Sequence, residues 1–188
     1  MDNRSHILNN ALRLFAARGY EAVGVQEIAA VSGLSKPTLY YYFQNKQGLL
    51  KTIIAERGEP LAEAVRRAAR YQGDLSLALN RVALAFFQYA DGNRLFYRMQ
   101  LAMYFAPAES LANQMCRRMN EELHRLLEDL FGQAAANHND LTGRQMSLAA
   151  AFMGTLNTYI GLALNGYIDL NEELAVNAVR QFMHGIYA

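Results

Sequence analysis

Apolar residues recur along this chain with the spacing of helices. Ile7, Leu8, Ala11, Leu12, Leu14 and Phe15 make one apolar face of a first helix, and Arg18-Gly19 places a glycine where a helix stops. A short second helix is expected near 26–32. Ser32-Gly33-Leu34 then reads as a tight turn, with Ser35 as an N-cap and Pro37 in the first turn of a third helix reaching Phe43. Gln44-Asn45 breaks it. A fourth helix is expected from 46 to about 71, kinked or broken at Gly58-Glu59-Pro60 because proline removes a backbone bond and crowds the preceding turn. Further helices are predicted near 75–90, 94–105, 108–136, 142–167 and 172–187. The breaks between them are Asp91-Gly92-Asn93, Ala106-Pro107, Asn137-His138-Asn139 and Asp169-Leu170-Asn171. Thr142 and Gln145 have the spacing of a capping box. The pattern predicts an all-α chain of about nine helices, with a three-helix head joined by the fourth helix to a longer helical body.

Composition narrows the class. Of 188 residues 52% are hydrophobic and 19% charged, which suits an ordered globular protein of one or two units. The apolar share is high for a small monomer and hints at surface buried against another subunit. The single cysteine, Cys116, precludes an internal disulfide and points to a reducing compartment. The N-terminus opens polar, without a signal-peptide block. The longest apolar stretch, 148–167, is interrupted by Thr155, Asn157, Thr158 and Asn165, and reads as a buried or interfacial helix rather than a membrane span. A cytoplasmic protein is expected. Its net charge is +1, yet Lys and Arg outnumber Asp and Glu six to three within 1–54 and fall short, twelve to fourteen, in the remainder. A basic head on a near-neutral body suits a reader of polyanions.

Residues 26–43 have the build of a helix-turn-helix. Two helices that cross closely need a small residue at the contact, which Ala29 supplies, and the turn needs a residue tolerant of positive φ, which Gly33 supplies. Ile28, Leu34, Leu39 and Phe43 form a small core that holds the second helix at its angle. Lys36, Thr38, Tyr41 and Tyr42 are left outward with the Pro37 ring beside them, a surface with donors for phosphates and base edges and apolar groups for thymine methyls. This segment, with Ser35-Lys36-Pro37-Thr38-Leu39-Tyr40-Tyr41-Tyr42-Phe43-Gln44-Asn45-Lys46 followed by Gly48-Leu49-Leu50, resembles the DNA-binding domain of the TetR (tetracycline repressor-like) family over about 5–54. The resemblance implies that Ser35, Lys36, Pro37, Thr38, Tyr40 and Tyr41 face bases or the adjacent backbone. It also implies that Gln26 reaches a base edge, and that Tyr42 and Lys46 contact phosphates, Lys46 together with the N-terminus of the fourth helix. Two departures stand out. Gly24-Val25 lacks the hydroxyl residue that commonly caps the second helix, and Tyr42 stands where histidine is frequent.

The same resemblance implies a DNA-binding domain over 1–54 and an effector-binding and dimerisation domain over 55–188. It implies a homodimer formed by the two C-terminal helices, with Phe152, Leu156, Tyr159, Ala178, Phe182 and Ile186 at the interface, although ordinary core explains the same apolar spacing. It also implies a pocket for a small apolar or aromatic effector. The candidates for its wall are the aromatics and methionines of the middle helices, Phe86, Phe87, Tyr89, Phe96, Tyr97, Met103, Tyr104 and Met115, with Asn157 as a polar handle; residue by residue these also fit core. His6, His124, His138, His184 and Cys116 lack metal-ligand spacing, and no glycine-rich phosphate loop is present, so no enzyme, metal or cofactor is expected. The reading is a transcription regulator, most simply a repressor released from a palindromic operator by its effector. The alternatives are an activator or co-regulator using the same head, a ligand-binding or enzymatic bundle with a vestigial head, and an architectural DNA protein.

Overall fold

The structure, a computed structural model, describes residues 2–185. Among them are nine α-helices, one 3₁₀ turn and no strand: α1 (Asn3–Arg18), α2 (Val25–Val31), α3 (Lys36–Phe43), α4 (Lys46–Ala68), α5 (Leu75–Gly92), α6 (Arg94–Tyr104), α7 (Leu111–Ala135), α8 (Gln145–Leu164) and α9 (Glu172–His184). The expected all-α class and helix order are found. The chain forms two compact units, each discontinuous in sequence. One holds the residues up to Glu59 together with Leu95–Arg118; the other holds Pro60–Arg94 together with the residues from Met119 onward. The sequence boundary expected at 54/55 therefore does not coincide with the spatial division, because α6 and the start of α7 join the head.

In the first unit α1 packs on α2 and α3, burying Ile7, Leu8, Ala11, Leu12 and Phe15 against Ile28, Ala29, Leu39 and Phe43. Asn113 closes α6. Its side-chain amide donates to the carbonyls of Met103 (3.4 Å), Tyr104 (3.1 Å) and Ala106 (3.2 Å), the acceptors a helix end leaves free. Ser110 caps α7 through the Asn113 N–H at 3.2 Å.

In the second unit α5 packs on α9 and α8, and α8 on α9. Asp74 caps α5 and Asn171 caps α9, their side-chain oxygens accepting from the N–H groups of Leu77 (2.9 Å) and Leu174 (2.8 Å). Arg81 donates to Ala68 O at 3.3 Å and Arg70 O at 2.7 Å, placing a cation on the free carbonyls at the end of α4.

Three expectations are corrected. The fourth helix is not broken at Gly58-Glu59-Pro60: α4 runs unbroken through Pro60. The carbonyl that Pro60 leaves without a donor belongs to Glu56, and both residues are exposed, so water can satisfy it. The Thr142–Gln145 capping box does not form. Gly143, at φ 77°, turns the chain, so α8 opens only at Gln145 with Arg144 at the cap position and no side-chain cap bond. The third correction concerns the α8–α9 surface. Phe152, Leu156 and Ala178 are fully buried within the single chain and are core, not interface. Tyr159 is half-buried with its ring 6.3 Å from Phe87, and Phe182 is half-buried with its ring 4.9 Å from Phe152 and 6.1 Å from Phe131. Ile186 lies outside the described residues. The outward line of α8 is instead Met146, Ala150, Gly154, Thr158 and Leu162, four residues apart.

Candidate nucleic-acid interface

The second and third helices are framed by local chemistry. Gly19, at φ 80°, ends α1 with its N–H on Phe15 O at 2.9 Å. Gly24 occupies the N-cap of α2 and supplies no side-chain bond, so the cap missing from the sequence pattern is missing in the fold. Gly33, at φ 64°, makes the turn and lets the Leu34 N–H reach Ala29 O at 3.0 Å. Ser35 caps α3: its hydroxyl accepts from the Thr38 N–H at 3.3 Å and lies 2.8 Å from the Thr38 hydroxyl. Such a cap contributes about 1 kcal/mol.

The helical period then sorts the side chains. Leu39 and Phe43 point inward and are buried, whereas Lys36, Pro37, Tyr40 and Tyr41 share the opposite, exposed face. Tyr41 is 83% exposed, Tyr40 44% and Tyr42 37%, and the Tyr41 and Tyr42 rings meet edge to face at 5.2 Å. Gln26 is exposed in the first turn of α2, and Thr38 is half-buried with its hydroxyl 2.8 Å from that of Ser35. Leu34, expected in the small core, is only half-buried at the turn.

Lys46 has a second task that the sequence did not show. Its Nζ sits 4.0 Å from the centre of the Tyr20 ring and donates to Glu21 O at 3.4 Å. Burial pushes this ammonium below the ordinary lysine range, with Glu21 opposing the shift. Lys46 thus braces the start of α4 against the loop between α1 and α2. Asn45 caps α4, its oxygen accepting the Gly48 N–H at 2.7 Å.

Sequence reasoning missed the ties that hold the head to itself. Asn10, buried on the apolar face of α1, donates to the Ser32 hydroxyl at 3.3 Å and so joins α1 to the turn before α3. A polar residue between Ile7 and Ala11 was the available signal. Arg4 pairs with Glu56, Arg57 donates to Asn9 at 3.2 Å, and Arg18 pairs with Glu27. These pairs are exposed and individually weak, but together they brace α1 against α4 and α2.

The named aromatics of the body divide between the two units. Phe86 and Phe87 are buried in the second, beside half-buried Tyr89 and Asn157; Phe96, Tyr97 and Met103 are buried in the first, with half-buried Tyr104 and Met115. None of them lines the groove of about 440 Å³ in the second unit, which is bounded by Arg66, Ala69, Arg70, Tyr71, Gln72, Leu126, Asp129 and Gln133.

Residues 7–53 match the sequence profile of the bacterial regulatory proteins of the tetR family. The HTH-type transcriptional activator FasR of Mycolicibacterium smegmatis is 34% identical over 98 residues, 52% of this chain and 45% of FasR. The chain thus spans under half the length of that relative. Two solved structures share the fold along the whole chain. The TetR family regulator PfmR of Thermus thermophilus superposes with a TM-score of 0.78 at 22% identity, covering 100% of this chain and 99% of its own. The regulator FadR of Bacillus subtilis, in complex with stearoyl-CoA, superposes with a TM-score of 0.79 at 18% identity, covering 97% of this chain and 99% of its own. Residues 7–53, centred on the helix-turn-helix just described, are thus similar to the DNA-binding segment of the tetR family of bacterial regulatory proteins, and the chain as a whole shares the fold of the two solved structures.

Proposed function

We propose that this chain is a cytoplasmic, homodimeric, sequence-specific transcription regulator, a repressor released from a palindromic operator when a small apolar or aromatic molecule binds its body. In this reading 1–54 binds DNA and 55–188 carries the effector and dimer surfaces, without catalytic chemistry. The observation that carries it is the outward face of α3, where Lys36, Pro37, Tyr40 and Tyr41 stand exposed on a helix whose other face is fully packed. A rigid frame beneath an exposed polar-aromatic face suits insertion in a major groove, with Gln26, Ser35, Thr38, Tyr42 and Lys46 around its edge. Tyr41 touches little of its own chain, so Tyr41→Ala should leave the melting temperature unchanged and weaken operator binding about ten-fold, read by fluorescence anisotropy. Equal affinity in the variant would remove α3 from the interface.

The outward line of α8 supports dimerisation. This helix has a mean hydropathy of 1.3, yet only 33% of it is buried. An apolar helix left that bare is a docking face, and Ala150, Gly154 and Thr158 would let a second copy approach closely. Thr158→Arg should give a folded monomer in sedimentation equilibrium, and binding to a two-half-site probe should fall towards that of one head. A dimer of unchanged stability would move the interface elsewhere.

For the effector, the stearoyl-CoA held by B. subtilis FadR supports a ligand with a long apolar part. Its effect on operator affinity would be a coupling of about 1–3 kcal/mol. A second reading concerns the sign of regulation, since FasR is an activator. The position of the selected operator relative to the promoter, with reporter output in a deletion strain, decides it.

A further inference from the structure

Resting on the DNA-binding reading above, we infer that the half-sites this chain selects are rich in A·T pairs, with at most one specified guanine each. In the major groove guanine is read by paired donors from arginine or lysine, adenine by the amide of asparagine or glutamine, and thymine by apolar contact with its methyl group. The face of α3 is short of the first kind. Lys36 is its only cation, and no arginine stands on α2 or α3.

The other cations within 1–54 are placed elsewhere. Arg4 is paired with Glu56 and lies over the Phe43 ring at 5.8 Å, and Arg18 is paired with Glu27. Arg13 belongs to α1 and Lys51 to α4, while Lys46 is held over Tyr20. Asn45, the amide next to α3, is used to cap α4.

What α3 does offer is a ring surface. The Pro37 ring and the rings of Tyr40 and Tyr41 are exposed. The Thr38 hydroxyl is engaged by Ser35 at 2.8 Å, so it is not a free donor for a base edge. Gln26 adds an exposed amide suited to adenine. A helix so equipped gains from thymine methyls and adenine edges, and can favour a guanine only opposite Lys36.

The test begins with selection from random-sequence duplexes by the full chain, followed by sequencing. The expected motif is a palindrome whose half-sites are A·T-rich with no more than one fixed G·C pair. Replacing the contacted thymines by uracil removes the methyl without changing pairing, and should weaken binding roughly four-fold per methyl. Lys36→Ala should erase the preference at the fixed guanine and retain the A·T preference elsewhere. A motif with two or more fixed G·C pairs per half-site, or equal affinity for the uracil operator, overturns this inference and leaves DNA binding standing. Retention of no duplex at low salt overturns the DNA-binding reading and this inference with it.

Discussion

A Gly48→Ala protein should lose about 2–4 kcal/mol of stability and with it the fixed angle of the recognition helix. A Cβ added at Gly48 would lie 2.2 Å from the Phe43 carbonyl oxygen and 3.3 Å from its carbonyl carbon. Both are backbone atoms and cannot swing aside as the tip of a side chain would. The corner also has little slack. Phe43 is buried in the core of the head, and the next residue, Gln44, is already a non-glycine residue at φ 64°, with its N–H on Tyr40 O at 2.8 Å. Relief of the clash must therefore move α3 or the start of α4, and α3 is the helix that presents Lys36, Tyr40 and Tyr41. Urea unfolding followed by circular dichroism, with anisotropy on operator DNA, measures both effects. Gly132→Ala is the control: Gly132 lies inside α7, where an added Cβ meets nothing within 4 Å, so alanine there should stabilise by about 0.5–1 kcal/mol. If Gly48→Ala melts with the wild type, the close approach at this corner does not matter.

Phe152→Ala should cost about 3–5 kcal/mol, the range for emptying a buried aromatic site. The ring is fully buried and lies 4.9 Å from that of Phe182, with α5 and α9 packed beside α8. A core residue and an interface residue predict different concentration dependence. If Phe152 is core, the drop in melting temperature relative to the wild type is the same in dilute and concentrated protein, and the variant still dimerises at concentrations where Thr158→Arg is monomeric. A drop that shrinks as protein concentration rises would return Phe152 to the subunit interface.

Much of the head was legible from residues close together in the chain. Gly19, Gly33, Ser35 and Pro37 each do what their position in the sequence predicts, because a cap or a turn is closed by atoms three or four residues apart. The period of Leu39 and Phe43 against Lys36, Pro37, Tyr41 and Tyr42 was enough to say which face of the third helix points outward, although Thr38, read with them, is half-buried and Tyr40 joins the exposed face. Gly48 was visible only as part of a family motif, and its reason, the Phe43 carbonyl, is a matter of three-dimensional approach.

What failed to be legible depended on neighbours remote in sequence. Pro60 has the local signature of a break, but the carbonyl it strands is Glu56, on an exposed side of α4, so the helix continues. Thr142 and Gln145 have the spacing of a capping box, but the positive φ of Gly143 delays the start of α8 beyond the place that box requires. Lys46 is expected from the resemblance only as a phosphate contact, and its bracing role appears once the fold brings Tyr20 and Glu21 to it. The clearest case is α8, a helix apolar nearly all round. Its period could not say whether Phe152 and Leu156 are covered by this chain or by a second subunit, since either would bury the same apolar line. Sequence by itself determined the helices, the caps at Gly19 and Ser35 and much of the outward chemistry of α3, all set by short-range bonding and a mixed polar-apolar period. Only the packing of α5 and α9 decided which side of α8 became core, because the choice between two apolar faces rests on the shape of the helices against which one of them fits.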